Sequence, residues 1–159
     1  MYEVEPFAVG LARCAPTPPA VPSDEARPVT PPLWIALLAV AAGGAVGAVC
    51  RYVVGLLVLR WHPEAGPLGT FAVNVAGCFL IGVVVPLVER SSLPPVAGLL
   101  LATGFLGALT TFSTFGHETV LLATARQRLD LALLNVAASL AAGIAAVWLG
   151  RAVVRWLAA

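Results

Sequence analysis

Four long apolar segments separated by short polar links follow a proline-rich start in this chain. They run over residues 33–59, 69–88, 96–124 and 131–150, and each is apolar on nearly every face. At about 1.5 Å per residue, twenty residues span the roughly 30 Å of a bilayer's hydrocarbon core. The pattern predicts an all-α integral membrane protein, with four transmembrane helices forming one domain over residues 33–155. Eight of the thirteen prolines fall in residues 1–32, ending in Pro28, Pro31 and Pro32. Proline removes backbone donors and blocks helix, so residues 1–32 are expected to be a disordered tail outside the fold.

The third segment departs most from a uniform lipid-facing helix. Thr110 to Phe115 reads TTFSTF, bracketed by Gly104, Gly107 and Gly116. Irregular backbone at membrane depth survives only where protein or a water-lined path covers it. A break in the third helix is therefore expected, with free carbonyls and hydroxyls at a site. Phe112 and Phe115 lie three apart and share a face if helix resumes there. Plain packing is one reading. Beside Thr111, Ser113 and Thr114 the other reading is that their positive ring edges face an anion. Glu118, one turn on, is either an interfacial carboxylate or salt-bridged, with Arg51 of the first segment its natural partner.

The remaining polar positions are few. Arg51 snorkels to an interface, caps carbonyls and an acid within the protein, or attracts anions at a vestibule. Asn74, one turn from Thr70, either glues helices or lends N–H donors that bind a small anion briefly without a full positive charge. Asn135, Ser139 and Gly143 fall at successive i+4 positions on the fourth segment, as a packing stripe or as a continuation of a polar track. Gly43 and Gly47 have the spacing that lets another helix approach closely.

Composition narrows the function classes. Of 159 residues, 60% are hydrophobic and 11% charged, which leaves nothing that calls for a soluble enzyme. All nine basic residues are Arg, scattered at a net charge of +1, so nucleic acid is not an expected partner. Cys14, Cys50 and Cys78 lack metal-ligand spacing. With four crossings, Arg27, Arg90, Arg151 and Arg155 fall on one side and Arg60, Arg126 and Arg128 on the other, with Arg51 assigned to neither. Orientation follows Arg excess in short loops, so this near balance allows insertion both ways up. Four short helices enclose little space alone, so a homodimer in lipid is expected, and dual insertion would permit an antiparallel one.

The strings GGAVGAVCRY (from Gly43), GTFAVNVAGCFLIG (from Gly69), GFLGALTTFSTFGHE (from Gly104) and NVAASLAAG (from Asn135) resemble, in order, the CrcB/Fluc family of fluoride channels. The resemblance implies an antiparallel dual-topology dimer in the inner (cytoplasmic) membrane, passing fluoride outward to relieve its toxicity. It also implies that Asn74 is a pore amide, that Phe112 and Phe115 line the fluoride path, and that Ser113, Thr114 and Ser139 belong to a hydroxyl track. Glu118 resembles the acid near the pore mouth, and Arg51 matches the family's first-helix arginine. Asn135 stands where members often carry Tyr. The backbone carbonyls around Gly107 to Thr110 resemble those that hold a central structural sodium ion, Na+, between the two subunits. A different reading is a dual-topology, proton-coupled exporter of the multidrug type, for which Glu118 is the sole candidate acid. A third is a membrane subunit without transport.

Overall fold

The computed structural model describes residues 31–63 and 66–158; the expected tail, apart from Pro31 and Pro32, lies outside the described residues. Four helical spans are long and apolar enough to cross a membrane. They are α1 (Leu33–Trp61), α2 (Gly66–Glu89), a composite third span (Pro95–Ala123) and α6 (Leu129–Leu157). The described residues contain no strand. The helix ends follow local chemistry. Pro67 sits in the first turn of α2, where its missing donor has no helical partner anyway. α6 continues to Leu157, seven residues past the Gly150 limit expected from hydropathy. Arg151 and Arg155 are exposed and do not interrupt helical bonding.

Few side chains are buried. The core is Val73, Leu106 and Leu109, flanked by Cys50, Val54, Ile81, Val84 and Phe105. Many large apolar side chains lie open, among them Leu38 at 62% and Ile144 at 62%. Such a surface is unstable in water and suited to lipid. Helices in lipid gain little from hydrophobic burial against each other, so close backbone approach carries the packing.

Glycines provide that approach. A methyl added at Gly43 would run into the Leu100 carbonyl, and one added at Gly47 into the Phe105 carbonyl. The Gly43/Gly47 pair is thus used within the chain, seating α1 on the third span. On the other side of the molecule, Gly82 abuts Val147, and Gly150 abuts Phe79 and Gly82. Gly143 lies against Cys78, so from Cys78/Gly143 to Gly82/Val147 the contacts advance together along both helices, and α2 and α6 run parallel.

The third span is a succession of pieces. A single turn, α3 (Pro95–Gly98), leads into a π-helical stretch (Leu99–Leu106), then a short α4 (Gly107–Leu109). Thr110 (φ −80°, ψ 153°) and Thr111 (φ −150°, ψ 119°) are extended, and α5 (Phe112–Ala123) resumes the helix. Wide π turns are uncommon and concentrate at functional positions.

Candidate functional site

Two extended residues at membrane depth leave backbone groups that must find partners, since each unpaired one costs several kcal/mol in hydrocarbon. Asn74 on α2 supplies them for Thr111. Its Oδ1 accepts from the Thr111 N–H at 2.8 Å, and its Nδ2 donates to the Thr111 carbonyl at 3.1 Å. The side chain therefore stands in for one peptide unit of a neighbouring strand. Thr111 also caps α5: its Oγ1 accepts from the Thr114 N–H at 3.2 Å, lies 3.2 Å from Ser113 Oγ and donates to Thr114 Oγ1 at 3.1 Å. Thr110 turns its hydroxyl back onto the Leu106 carbonyl at 2.9 Å, and its methyl fills the space that a Gly77 side chain would occupy.

These bonds have a consequence one turn earlier. In a continuous helix the Thr111 N–H would close on the Gly107 carbonyl, and the Thr114 N–H on the Thr110 carbonyl. Both donors are diverted, one to Asn74 and one to the Thr111 hydroxyl. The Gly107 and Thr110 carbonyls are thereby released from helical duty. Carbonyl oxygens are the ligands that a hard cation takes.

Cavities open on both sides of the Asn74–Thr111 crossing, and Thr111 lines both. The first, about 400 Å³, is lined by Asn74, Cys78, Thr110, Phe112, Phe115 and Ser139 among others. The Phe112 and Phe115 rings are tilted by 44° with centroids 5.6 Å apart, and Phe112 is 81% exposed in the single chain. Ser139 Oγ is buried without a hydrogen-bond partner. Asn74 Nδ2 carries two N–H groups and spends one on Thr111, which leaves a donor. None of the described residues lining this cavity carries a charge.

The second, about 460 Å³, is lined by Arg51, Tyr52, Thr70, Thr114 and Glu118 among others. Arg51 and Glu118 share the cavity, but the described residues show no ion pair between them. Glu118 Oε1 instead accepts from Thr70 Oγ1 at 3.0 Å, and Oε2 is buried without a partner. The arrangement follows from helix periodicity: Thr111, Thr114 and Glu118 fall on one face of α5, and Phe112 and Phe115 on another.

The structure thus gathers Asn74, Phe112, Phe115 and Ser139 at one cavity, and Arg51, Thr114 and Glu118 at the other. Ser113 is exposed and joins through Thr111. Asn135 joins neither cavity. Its Nδ2 donates to Thr119 Oγ1 at 2.8 Å, and Thr119 donates on to the Phe115 carbonyl at 2.7 Å, tying α6 to the helix that carries the rings. Thr70 and Thr119 are the polar partners that motif reading passes over. Thr70 was accessible, since it lies four residues before Asn74 on the same helix face.

Comparison with known proteins decides the family. Residues 38–151 match the profile described as CrcB-like protein, Camphor Resistance (CrcB). The chain belongs to the CrcB family. This CrcB chain is 47% identical over 122 residues to the Fluoride-specific ion channel FluC of Acidobacterium capsulatum, covering 76% of this chain and 93% of that one. It is 46% identical over 115 residues to that of Shewanella amazonensis, covering 72% and 92%. With FluC 2 of Symbiobacterium thermophilum, identity is 47% over 119 residues, covering 74% and 96%. All the residues of both cavities fall within the matched CrcB region.

Proposed function

We propose that this chain is a fluoride-specific channel that lets fluoride leave the cell passively across the cytoplasmic membrane. The observation that carries the reading is the first cavity. A spare Asn74 N–H, the orphaned Ser139 hydroxyl and two ring edges surround it, with no charge among its lining residues. Fluoride is small and tightly hydrated, so a selective path must replace its water with closely spaced donors. Neutral donors do this without a deep charge well, so the ion can leave again. The relatives named as fluoride-specific channels support the choice of ion.

The roles divide by cavity. Arg51 draws anions to the second cavity, where the Thr114 and Ser113 hydroxyls and Glu118 form the mouth. Asn74, Phe112, Phe115 and Ser139 form the selective part, and Asn135 holds α6 against α5. One copy leaves the first cavity open and Phe112 bare, and the arginines are nearly balanced between the two sides. Both features support an antiparallel, dual-topology homodimer in which a second copy completes each path. The freed Gly107 and Thr110 carbonyls fit a structural sodium ion between the copies. When bound, such a cation supplies positive charge at the centre of the dimer and offsets repulsion between anions.

Fluoride efflux from proteoliposomes, followed with a fluoride electrode, tests the reading. Fast release without a proton gradient, with chloride retained, is the expected result. Equal chloride release overturns fluoride selectivity. Release only with a proton gradient favours the coupled exporter, and no release in correctly folded protein favours a subunit without transport.

A further inference from the structure

The far end of α6 carries a feature that ion passage does not use. Ile144, Trp148, Arg151 and Arg155 follow one another at spacings of four, three and four, so they form a single stripe along the helix. All four are exposed, with Trp148 at 63% and neighbouring Trp156 at 78%. Arg128 pairs with Asp130 at the opposite end of α6. Arg151 and Arg155 therefore place two cations one turn apart with no acid between them, an arrangement that repels itself unless an anion bridges it.

Position along the helix sets the depth. The exposed Arg128–Asp130 pair marks one water boundary, and about twenty residues, the length of a crossing, lead from there to Gly150. Arg151 and Arg155 then fall at the level of lipid phosphates, with Trp148 at the interface that indole rings favour. Because α2 runs parallel to α6, the exposed Arg90 just beyond α2 emerges on the same face. Glu89 is the one acid at that end among the described residues, against three arginines.

We propose that this end of the molecule binds an acidic phospholipid, its headgroup phosphate bridged by Arg151 and Arg155 and its acyl chains laid along Trp148 and Ile144. The apolar continuation of the stripe into the hydrocarbon selects a lipid over a soluble phosphate. The inference is independent of which ion the channel carries.

The test uses the full chain with W34F and W61F, so that emission comes from Trp148 and Trp156. It is reconstituted in phosphatidylcholine vesicles containing a small fraction of either brominated phosphatidylglycerol or brominated phosphatidylcholine. The brominated acidic lipid is expected to quench more strongly, with a local enrichment of about fivefold for each arginine. R151Q/R155Q should bring the two lipids to parity, and R151K/R155K should keep most of the preference. Equal quenching in the parent, unchanged preference in R151Q/R155Q, or parity in R151K/R155K each overturns the proposal. Quenching by neither lipid places the indoles away from lipid and overturns it too. Loss of preference in millimolar glycerol phosphate would mean that the arginines read phosphate alone, which removes the lipid.

Discussion

The two cavities beside the Asn74–Thr111 crossing are similar in size and opposite in chemistry. The second holds Arg51, Glu118 and three threonines; the first holds an amide, the buried Ser139 hydroxyl, a thiol, two threonines and two aromatic rings. A charged cavity concentrates anions, because a cationic side chain with low-dielectric walls raises the local ion concentration. A neutral one discriminates among them without holding any for long. Thr111 belongs to both, so the backbone link that separates them is also the wall they share. In the function proposed above, capture and selection fall to different faces of the same short helix, α5, with Asn74 at the boundary between them.

Breaking that boundary should have the largest effect. Asn74→Leu leaves the Thr111 N–H and carbonyl unpaired, a loss of roughly 1–3 kcal/mol for each group. Fluoride efflux should vanish and the melting temperature in detergent should drop. Asn74→Asp keeps the acceptor for the Thr111 N–H, removes both donors and places a carboxylate in the neutral cavity. It should recover part of the thermal stability and none of the efflux. If Asn74→Asp conducts like the parent, the amide serves the fold alone.

The rings come next. Phe112→Ile or Phe115→Ile keeps apolar volume and removes the ring edge, and should slow efflux by about tenfold, the rate equivalent of a single aromatic contact. Dimer assembly should persist by crosslinking. Unchanged efflux in both variants would leave the rings as packing. Because Phe112 and Phe115 line only the first cavity, the same substitutions should not alter the charge-driven salt dependence that Arg51 contributes at the second.

Much of this layout is legible in the sequence, for a definite reason. Spanning a bilayer demands about twenty apolar residues, so runs such as Leu33 to Leu59 announce their own helices. Gly43 and Gly47 likewise announce close packing, though only the structure shows that Leu100 and Phe105 receive them. Pairings across the fold are another matter. Asn74 and Thr111 are 37 residues apart, and Thr70 and Glu118 are 48 apart. Nothing local in either sequence neighbourhood says which polar group will reach which. Arg51 is opposite in charge to Glu118, yet Thr70 holds the carboxylate because it lies on the helix face that packs against α5. The split of the Asn135, Ser139 and Gly143 stripe is hidden for the same reason. Asn135 faces α5, Ser139 faces the cavity and Gly143 lies against Cys78 on α2.

Packing of α1 offers a sharper test of whether the two cavities depend on one scaffold. Gly47→Ala forces a methyl against the Phe105 carbonyl, which is backbone and cannot swing aside. Overpacking of this kind costs about 1–3 kcal/mol, and the shift would reach the first cavity through Leu106 and the second through Val73, which packs with Leu106 and Leu109. Efflux and melting temperature should fall together. Efflux falling alone would mean that the close approach matters to the path rather than to the fold.

The smallest effect is expected at Thr70. Thr70→Val keeps shape and removes the hydroxyl that donates to Glu118, leaving both carboxylate oxygens without a hydrogen bond in a half-buried position. The net worth of one such bond is about 1 kcal/mol, or roughly a fivefold change in rate if it is felt only during passage. Thr70→Ser retains the hydroxyl and should behave as the parent. If Thr70→Val slows efflux more than the Phe112→Ile and Phe115→Ile substitutions do, the charged cavity, and not the neutral one, holds the rate-limiting step, and the division of labour between the two is reversed.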